Sequence, residues 1–274
     1  MNHIYDSHVH IFSRQVDQTA LLAAMKAAGV DGGVLISPAP EAFADGFPGP
    51  TSTKERLDCL LQWTSGTLTL FPFYWIDPTE KDAIRQVRMA AARGVMGFKV
   101  ICNHFYPGDA VAMDTYRAIA RTGKPLLFHS GILWDSTPSS KYCRPVEFEA
   151  MIDVPGIRFA LAHISWPWID ECLATYGKFL ATRKRRPSVS CEMFIDLTPG
   201  TPPIYRREAL TKIHTIGYEI ADNLLFGTDN RAVYLAAAAA KWIKTDNAIY
   251  DALDVGPKTR EKIYGRNLMR FLKP

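Results

Sequence analysis

The feature that most constrains the fold of this sequence is a regular alternation between short apolar runs and longer segments with helical periodicity. Most of these runs are apolar on both faces, as strands buried in a parallel sheet are. The eight runs cover residues 4–10, 33–37, 68–76, 95–101, 125–130, 158–164, 189–195 and 223–228. A repeat of this kind predicts an α/β fold built around one parallel sheet.

The segments between the predicted strands are rich in helix formers, with apolar residues three and four positions apart. The clearest of them cover residues 18–28, 79–93, 113–122, 168–180 and 205–218. Such alternation gives either a closed barrel or an open doubly wound sheet, and no glycine-rich phosphate loop follows the first strand to favour the open form. We therefore predict a (β/α)8 TIM barrel, with helices over residues 232–244 and 258–272 packed on its flank.

Length and charge limit the remaining alternatives. At 274 residues the chain is slightly longer than a typical α/β barrel and too short for two large domains, so we predict one domain over residues 1–274. Hydrophobic residues make up 47% and charged residues 22%, which is typical of a soluble globular protein. The net charge of +4 is small, and we interpret the basic run 183–186 as a solvated helix end, so nucleic acid is not an expected partner.

The sequence also carries expectations about location. Met1 leads straight into a polar strand, without the charged start and apolar stretch of a signal peptide, and no apolar run approaches the roughly 20 residues needed to cross a bilayer. The 5 cysteines are widely spaced and lie mostly in apolar segments, which is typical of reduced thiols. We expect a cytoplasmic protein with no membrane partner, no disulfides and no cysteine-based zinc site.

The strongest local motif is Asp6-Ser7-His8-Val9-His10 in the first predicted strand. Strand side chains alternate between two faces, so Asp6, His8 and His10 point the same way. Two imidazoles on the inner face of a barrel strand form a ready pair of metal ligands. An isolated His-x-His pair is nevertheless more often a polar strand with hydrogen-bonded histidines, so this motif does not decide the matter by itself.

Three further polar residues close otherwise apolar strands, where barrel enzymes place their catalytic groups. His129, His163 and Asp229 end the fifth, sixth and eighth predicted strands. A polar group at such a position has a desolvation cost unless it meets a partner, and convergence around a cation supplies one. The set therefore predicts a site for one divalent metal ion. Three histidines and one aspartate suit zinc, manganese, iron or cobalt, and we take Zn²⁺ as the default.

Six short motifs occur in a fixed order along nearly the whole chain. They are the opening Asp6-x-His8-x-His10, Gly97-Phe98-Lys99, the segment 124–131 that reads KPLLFHSG, Ala160-Leu161-Ala162-His163, Phe226-Gly227-Thr228-Asp229 and the closing Ile263-Tyr264-Gly265-Arg266-Asn267. With this set the sequence resembles the amidohydrolase-related family of metal-dependent hydrolases and decarboxylases, within the wider amidohydrolase superfamily. No single motif is specific, but the set in this order is.

The resemblance implies a role for each of these polar residues. It makes His8, His10, His129 and Asp229 the metal ligands, His163 a catalytic residue that does not bind the metal, and Asp6 a partner that steadies the first strand. The chemistry agrees, because a divalent ion lowers the pKa of bound water from 15.7 towards about 7. Asp229 would then accept a proton from the water and pass it to the leaving group, while His163 orients the water or the substrate carbonyl.

Four residues are candidates for binding the substrate. Lys99 leaves three readings open: in related amidohydrolases a carboxylated lysine on the fourth strand bridges two metals, but Lys99 could instead bind a substrate carboxylate or form a structural ion pair. The guanidinium of Arg144 matches a carboxylate. Trp134 and Trp166 follow the fifth and sixth strands, where they could line a pocket for a planar substrate or simply pack.

Two loops and one acid complete the predicted mouth of the barrel. The connections 38–53 and 131–144 are rich in proline, glycine, serine and aromatic residues and should lie over it. Glu192, which we place near the end of the seventh strand, would contact the substrate or the ion, or be a buried structural acid.

We therefore expect a metal-dependent hydrolase acting on a small lactone, amide or related carbonyl compound that carries a carboxylate. The alternative is a non-oxidative decarboxylase of an aromatic or unsaturated acid, since members of the family use nearly the same site for carbon–carbon cleavage. A third reading, a barrel that binds metal or ligand without turnover, is disfavoured by the complete set of four histidines and Asp229. The expected partner is a small organic acid or lactone. A homo-oligomer remains open, because such barrels often pair across a two-fold axis.

Overall fold

A single sheet of parallel strands forms the centre of the molecule, as seen in a computed structural model that describes residues 3–12, 15–46, 52–200 and 202–273. All neighbouring strands in the described part of the chain pair in parallel. The strands are β1 (Tyr5–His10), β2 (Gly32–Ile36), β3 (Leu70–Trp75), β4 (Gly97–Val100), β5 (Leu126–Phe128), β6 (Arg158–Leu161), β7 (Glu192–Asp196), β8 (Leu224–Leu225) and β9 (Asn230–Arg231).

The sheet closes on itself through the segment 224–231. The strand order runs β8-β7-β6-β5-β4-β3-β2-β1-β9, and its two end strands are the two short pieces of this one segment. Between them, the backbone N–H of Ser7 in β1 donates to the carbonyl of Phe226 at 2.9 Å. β8 and β9 together therefore act as the eighth strand, and the predicted (β/α)8 barrel is confirmed.

Helices surround the barrel, and most of them cover it with a buried apolar face. They are α1 (Gln18–Ala27), α2 (Thr53–Thr64), α3 (Ala83–Ala92), α4 (Ala110–Arg121), α5 (Ile169–Arg185), α6 (Arg206–Thr215), α7 (Ala236–Ala252), α8 (Pro257–Glu261) and α9 (Asn267–Leu272). In α4 the buried residues Ala112, Tyr116 and Ile119 recur every three or four positions, as an amphipathic helix requires. No helix in the described ranges is long and apolar enough to cross a membrane.

The connection between β5 and β6 departs from the strand–helix repeat. It contains two 3-10 segments, Ser140–Cys143 and Pro145–Asp153, where the other connections have an α-helix or a simple turn. The predicted loop 131–144 lies within this connection, and several of its residues line the cavity at the barrel mouth. Of the other predicted loop, 38–53, residues 47–51 lie outside the described part of the chain.

The far end of the barrel is filled by the C-terminal helices. The ring of Phe271 in α9 contacts Phe194 and Phe73 of the barrel interior, with ring centroids 4.9 and 6.4 Å apart. Around them, Ile36, Phe71 and Leu225 complete a buried apolar core. Side chains therefore fill this end, and the cavity that collects the predicted site residues lies at the opposite mouth, where the strands end.

Strand seven corrects one prediction. It begins at Glu192 and ends at Asp196, whereas we predicted a strand over 189–195 with Glu192 near its end. The carboxylate of Glu192 pairs with Arg270 at 2.8 Å and with Arg183 at 3.3 Å, away from the mouth. Glu192 is therefore a structural acid, and Asp196 is the residue that closes the strand.

Candidate active site

A cavity of about 600 Å³ opens at the mouth of the barrel and collects the predicted polar residues. His8 and His10 come from β1, His129 follows β5, His163 follows β6, and Asp229 lies between β8 and β9. All five line the cavity. Their convergence follows from the fold, because parallel strands end at the same edge of a barrel.

Three of these residues present their ligand atoms to one another. The two Nε2 atoms of His8 and His10 are 3.1 Å apart, and the Oδ1 atom of Asp229 lies 3.5 Å from the first and 3.6 Å from the second. Two ligands about 2.0 to 2.1 Å from a tetrahedral ion would lie roughly 3.3 Å apart. His8, His10 and Asp229, hereafter the ligand group, therefore have the donor types and the spacing of three ligands to one ion.

The orientation of His8 is set by Asp196. Nδ1 of His8 lies 2.8 Å from Oδ2 of Asp196, while the other carboxylate oxygen accepts from the Ser7 hydroxyl at 3.1 Å and the Thr198 N–H at 2.9 Å. A carboxylate only accepts, so the imidazole proton is on Nδ1 and the Nε2 lone pair faces the ligand group. A carboxylate behind a histidine in this way is the usual support of a metal-binding imidazole.

Burial keeps the imidazoles neutral. It lowers the pKa of His8, His10 and His163 well below the ordinary value, and it lowers the pKa of His129 to about 3. The nearby Lys99 charge acts in the same direction on each of them. Neutral imidazole is the form that binds a metal ion.

Asp6 joins the first strand to the eighth. Its carboxylate accepts from the Thr228 hydroxyl at 2.5 Å, the Thr228 N–H at 3.0 Å, the Tyr234 hydroxyl at 2.8 Å and the His8 N–H at 3.0 Å. Burial raises its pKa to about 6, although these hydrogen bonds oppose the rise. Asp6 thus fixes the backbone of His8 relative to the segment that carries Asp229.

His163 sits on an unusual turn. His163, Ile164 and Ser165 have φ angles of 63, 50 and 55°, a left-handed conformation that non-glycine residues seldom adopt, least of all a β-branched one. Thr198 holds the turn: its Oγ1 accepts from the His163 N–H at 3.2 Å and lies 3.0 Å from Nδ1 of the ring. The ring then lies with its centroid 5.3 Å from that of His8, beside the ligand group.

His129 lines the same cavity but stands apart from the ligand group. Its Nε2 atom lies 3.2 Å from the carbonyl of Ile132, and its ring centroid is 4.9 Å from that of His163. Asp229 has a φ of 56°, which aspartate tolerates better than most residues, and its side chain is 39% exposed to the cavity. The surrounding protein shields this carboxylate from bulk water, and this desolvation, together with the nearby Asp196 and Asp6, raises its pKa above the ordinary value, while the Lys99 charge opposes that rise.

Comparison with known families agrees with this geometry. The family model described as amidohydrolase matches residues 5–273, nearly the whole chain. The chain belongs to the amidohydrolase family. No curated protein matches the sequence.

Solved structures of amidohydrolases share the fold at low sequence identity. A probable 2-pyrone-4,6-dicarboxylic acid hydrolase from Acinetobacter baumannii, with citric acid bound, is 14% identical over 99% of both chains, with a TM-score of 0.65. An amidohydrolase from Burkholderia multivorans with bound zinc is 13% identical over 98% of this chain and 99% of its own, with a TM-score of 0.66. The 2,6-dihydroxybenzoate decarboxylase complexed with 2,6-dihydroxybenzoate is 15% identical over 99% and 98%, with a TM-score of 0.66.

In this amidohydrolase, Lys99 lies deep in the barrel rather than at the rim of the cavity. Its side chain is buried, and Nζ lies 3.3 Å from Nε2 of His8. Burial lowers its pKa, while the carboxylates of Asp229 and Asp196 oppose that change. The position brings Lys99 next to the ligand group.

Arg144 is not among the residues that line the cavity. Its guanidinium pairs with Glu171 and lies over the ring of Trp168 at 5.2 Å, and 46% of the side chain is exposed. Trp134 and Trp166 do line the cavity, although Trp134 is 80% exposed at the rim. The long 131–144 loop explains the difference, since its side chains can turn outwards to helix α5 as readily as inwards.

Three residues of the site were absent from the sequence-based prediction. Asp196 and Thr198 position His8 and His163, and Arg231 lines the cavity two residues after Asp229. Asp196 carries the same signal as His129 and His163, a polar residue that closes an apolar strand. Thr198 and Arg231 have no comparable signal, because their roles depend on how β7 and β9 end.

Proposed function

We propose that this chain is a metal-dependent hydrolase that acts on a small carboxylated lactone, amide or related carbonyl compound. The observation that carries the proposal is the ligand group, in which His8, His10 and Asp229 offer three ligand atoms all within 4.8 Å of one another at the floor of a cavity. A cavity of about 600 Å³ suits a small-molecule substrate.

The metal is proposed to be one divalent ion, with Zn²⁺ as the first choice. The two imidazoles and the carboxylate fit it by donor type and spacing, and we keep His129 as the proposed fourth ligand because it lines the same cavity. When bound, such an ion lowers the pKa of water and polarises a carbonyl. One of the structural relatives, the amidohydrolase from Burkholderia multivorans, contains zinc.

Residues of the chain transfer the proton, orient the substrate carbonyl and position the metal ligands. The carboxylate of Asp229 accepts a proton from the attacking water and later delivers it to the leaving oxygen or nitrogen. His163, whose Nδ1 lies 3.0 Å from Thr198 Oγ1, turns its other ring nitrogen towards the substrate carbonyl and orients it. Asp196 keeps the Nε2 lone pair of His8 directed at the ligand group.

A decarboxylase is the second candidate, and Lys99 is the observation that favours it. An ammonium group 3.3 Å from His8 Nε2 can hold a carboxylate beside the ligand group, as a departing carboxylate requires. Lys99 is therefore too close to the ligand group to hold a substrate carboxylate at a distance from the reacting carbonyl, as hydrolysis would require. The hydrolase stays first because a second cation that lines the cavity, Arg231, can bind the acidic group of the substrate.

The experiment is turnover in ¹⁸O-labelled water. The metal-loaded enzyme is screened against carboxylated lactones, amides and aromatic acids, and the products are identified by mass spectrometry. Hydrolysis places one labelled oxygen in the newly formed acid. Release of carbon dioxide with solvent hydrogen fixed on carbon would instead establish the decarboxylase, and a chain that binds metal but turns over no compound would favour the inactive barrel. The variant His8→Ala, which loses a proposed ligand, is the control.

A further inference from the structure

The backbone places Arg231 beside the ligand group. In the parallel pair of β1 and β9, Arg231 is the register partner of His10, and the next N–H, that of Ala232, donates to the His10 carbonyl at 2.8 Å. Register partners project their side chains to the same face of a sheet. The side chain of Arg231 therefore rises on the cavity side, next to His10, and both residues line the cavity.

The guanidinium of Arg231 is held by an aromatic ring. It lies over the ring of Phe12 at 4.8 Å, and the ring of Phe12 is itself 5.7 Å from that of His10. Stacking engages the face of a guanidinium and leaves its N–H donors, which lie in the plane, free to bind a planar anion. Within the described part of the chain no carboxylate forms an ion pair with Arg231, and its side chain is exposed at the rim.

The other two candidate cations, Lys99 and Arg144, have different surroundings. Among the described residues that line the cavity, Lys99 and Arg231 are the two lysine or arginine side chains. Lys99 is buried next to His8, and Arg144 pairs with Glu171 outside the cavity. Arg231 alone of these three combines a position at the rim, a fixed guanidinium and unused donors.

We propose that Arg231 is a specificity-determining residue that binds a carboxylate of the substrate at the rim, next to His10 but outside the ligand group. The inference rests on the proposed function and narrows its substrate class. The substrate would be a small acid with at least one carboxylate separated from the carbonyl that reacts. The half-buried indole of Trp166 and the side chain of Ile132 line the cavity and would contact the apolar body of such a molecule.

The test uses probes that carry a metal-binding group at one end and a carboxylate at the other. Benzohydroxamate, 3-carboxybenzohydroxamate and 4-carboxybenzohydroxamate are titrated by calorimetry into the zinc-loaded wild-type chain, Arg231→Gln and Arg231→Lys. We expect at least one carboxylated probe to bind the wild type about 10- to 100-fold more tightly than benzohydroxamate, the range for a charge-assisted bidentate contact. Arg231→Gln should remove this advantage and leave benzohydroxamate unchanged, and Arg231→Lys should retain part of it.

Arg144→Gln is the matched control, because it removes one exposed arginine outside the cavity and should bind all three probes as the wild type does. An advantage of the carboxylated probes that persists in Arg231→Gln would overturn the inference while leaving the metal site intact. If none of the hydroxamates binds, the proposed function fails instead. Isophthalate then decides the inference: weaker binding to Arg231→Gln than to Arg144→Gln supports it, and equal binding contradicts it.

Discussion

Two polar regions lie on either side of the end of β7, and they differ in how their charged and polar groups are paired. Outside the barrel, Nε and Nη2 of Arg206 donate to the two carboxylate oxygens of Asp246 at 2.8 and 2.6 Å, and Nη1 donates to the Leu197 carbonyl at 2.7 Å. Inside the barrel, Nε2 of His8, Nε2 of His10 and Oδ1 of Asp229 face one another at 3.1 to 3.6 Å.

The difference shows that burial of charge alone does not identify a functional site. In the Arg206–Asp246 pair, each charge is neutralised by the other. Asp246 raises the pKa of Arg206 above its ordinary value even though burial opposes the change. The pair connects α6 and α7 to the end of β7. In the ligand group, in contrast, Nε2 of His8 has three polar neighbours, the His10 ring, the Lys99 ammonium and the Asp229 carboxylate, at 3.1 to 3.5 Å. Converging imidazole and carboxylate ligands of this kind are what a bound cation satisfies.

The largest effect on chemistry should come from His163, which lies in the mouth but outside the ligand group. His163→Asn should keep its metal, measured by elemental analysis after gel filtration. Turnover should fall by roughly 10² to 10⁴-fold, the usual contribution of a positioned acid or base. Near-normal turnover would show that the left-handed turn serves packing rather than catalysis.

The largest effect on stability should come from the matched pair. Asp246→Ala leaves the Arg206 charge buried and unpaired, so the free energy of unfolding should fall by about 3 to 5 kcal/mol in denaturant titrations. The double variant Arg206→Met with Asp246→Leu should recover most of the loss, because apolar residues of similar volume replace buried ion pairs well. Asp251→Ala is the control from the same helix; it breaks an exposed pair with Arg260 and should change stability far less. A double variant as unstable as Asp246→Ala would contradict the interpretation of this pair as structural.

A smaller effect is expected for Asp196, which lies behind His8 and is not among the residues that line the cavity. Asp196→Asn removes the charge that holds the His8 tautomer, and the affinity for Zn²⁺ should fall about 10- to 100-fold, as it does when other supporting carboxylates are changed. Competition with a chromophoric chelator measures this affinity. Unchanged affinity would mean that Asp196 resembles Asp246, a structural acid, more than it resembles a support for a ligand.

The barrel and most of the residues at its mouth could be predicted because both produce local patterns in the sequence. Strand–helix periodicity is a local pattern, and His129, His163 and Asp229 interrupt apolar strands with a polar residue. Asp196 carries the same pattern but was missed, because the predicted strand ended at Ile195, one residue too early. A shift of one residue at a strand end is enough to lose a site residue.

Other features could not be predicted, since they depend on contacts between distant parts of the chain. Arg206 and Asp246 are 40 residues apart and meet only when α6 packs on α7. Arg144 was expected in the cavity on the strength of its chemistry, but the backbone of its loop directs it to Glu171. The position of Lys99 next to His8 requires that β1 and β4 face each other across the barrel, which closure creates and sequence spacing does not show.

The central claim is that the converging side chains of His8, His10 and Asp229 hold a divalent ion, and a crystal structure of the zinc-loaded chain with anomalous scattering at the zinc edge tests it most directly. We predict one anomalous peak about 2.0 to 2.2 Å from His8 Nε2, His10 Nε2 and a carboxylate oxygen of Asp229, with His129 turned to complete the site, and no peak in His8→Ala. A peak elsewhere, or an ion bound equally well by His8→Ala, would contradict the account.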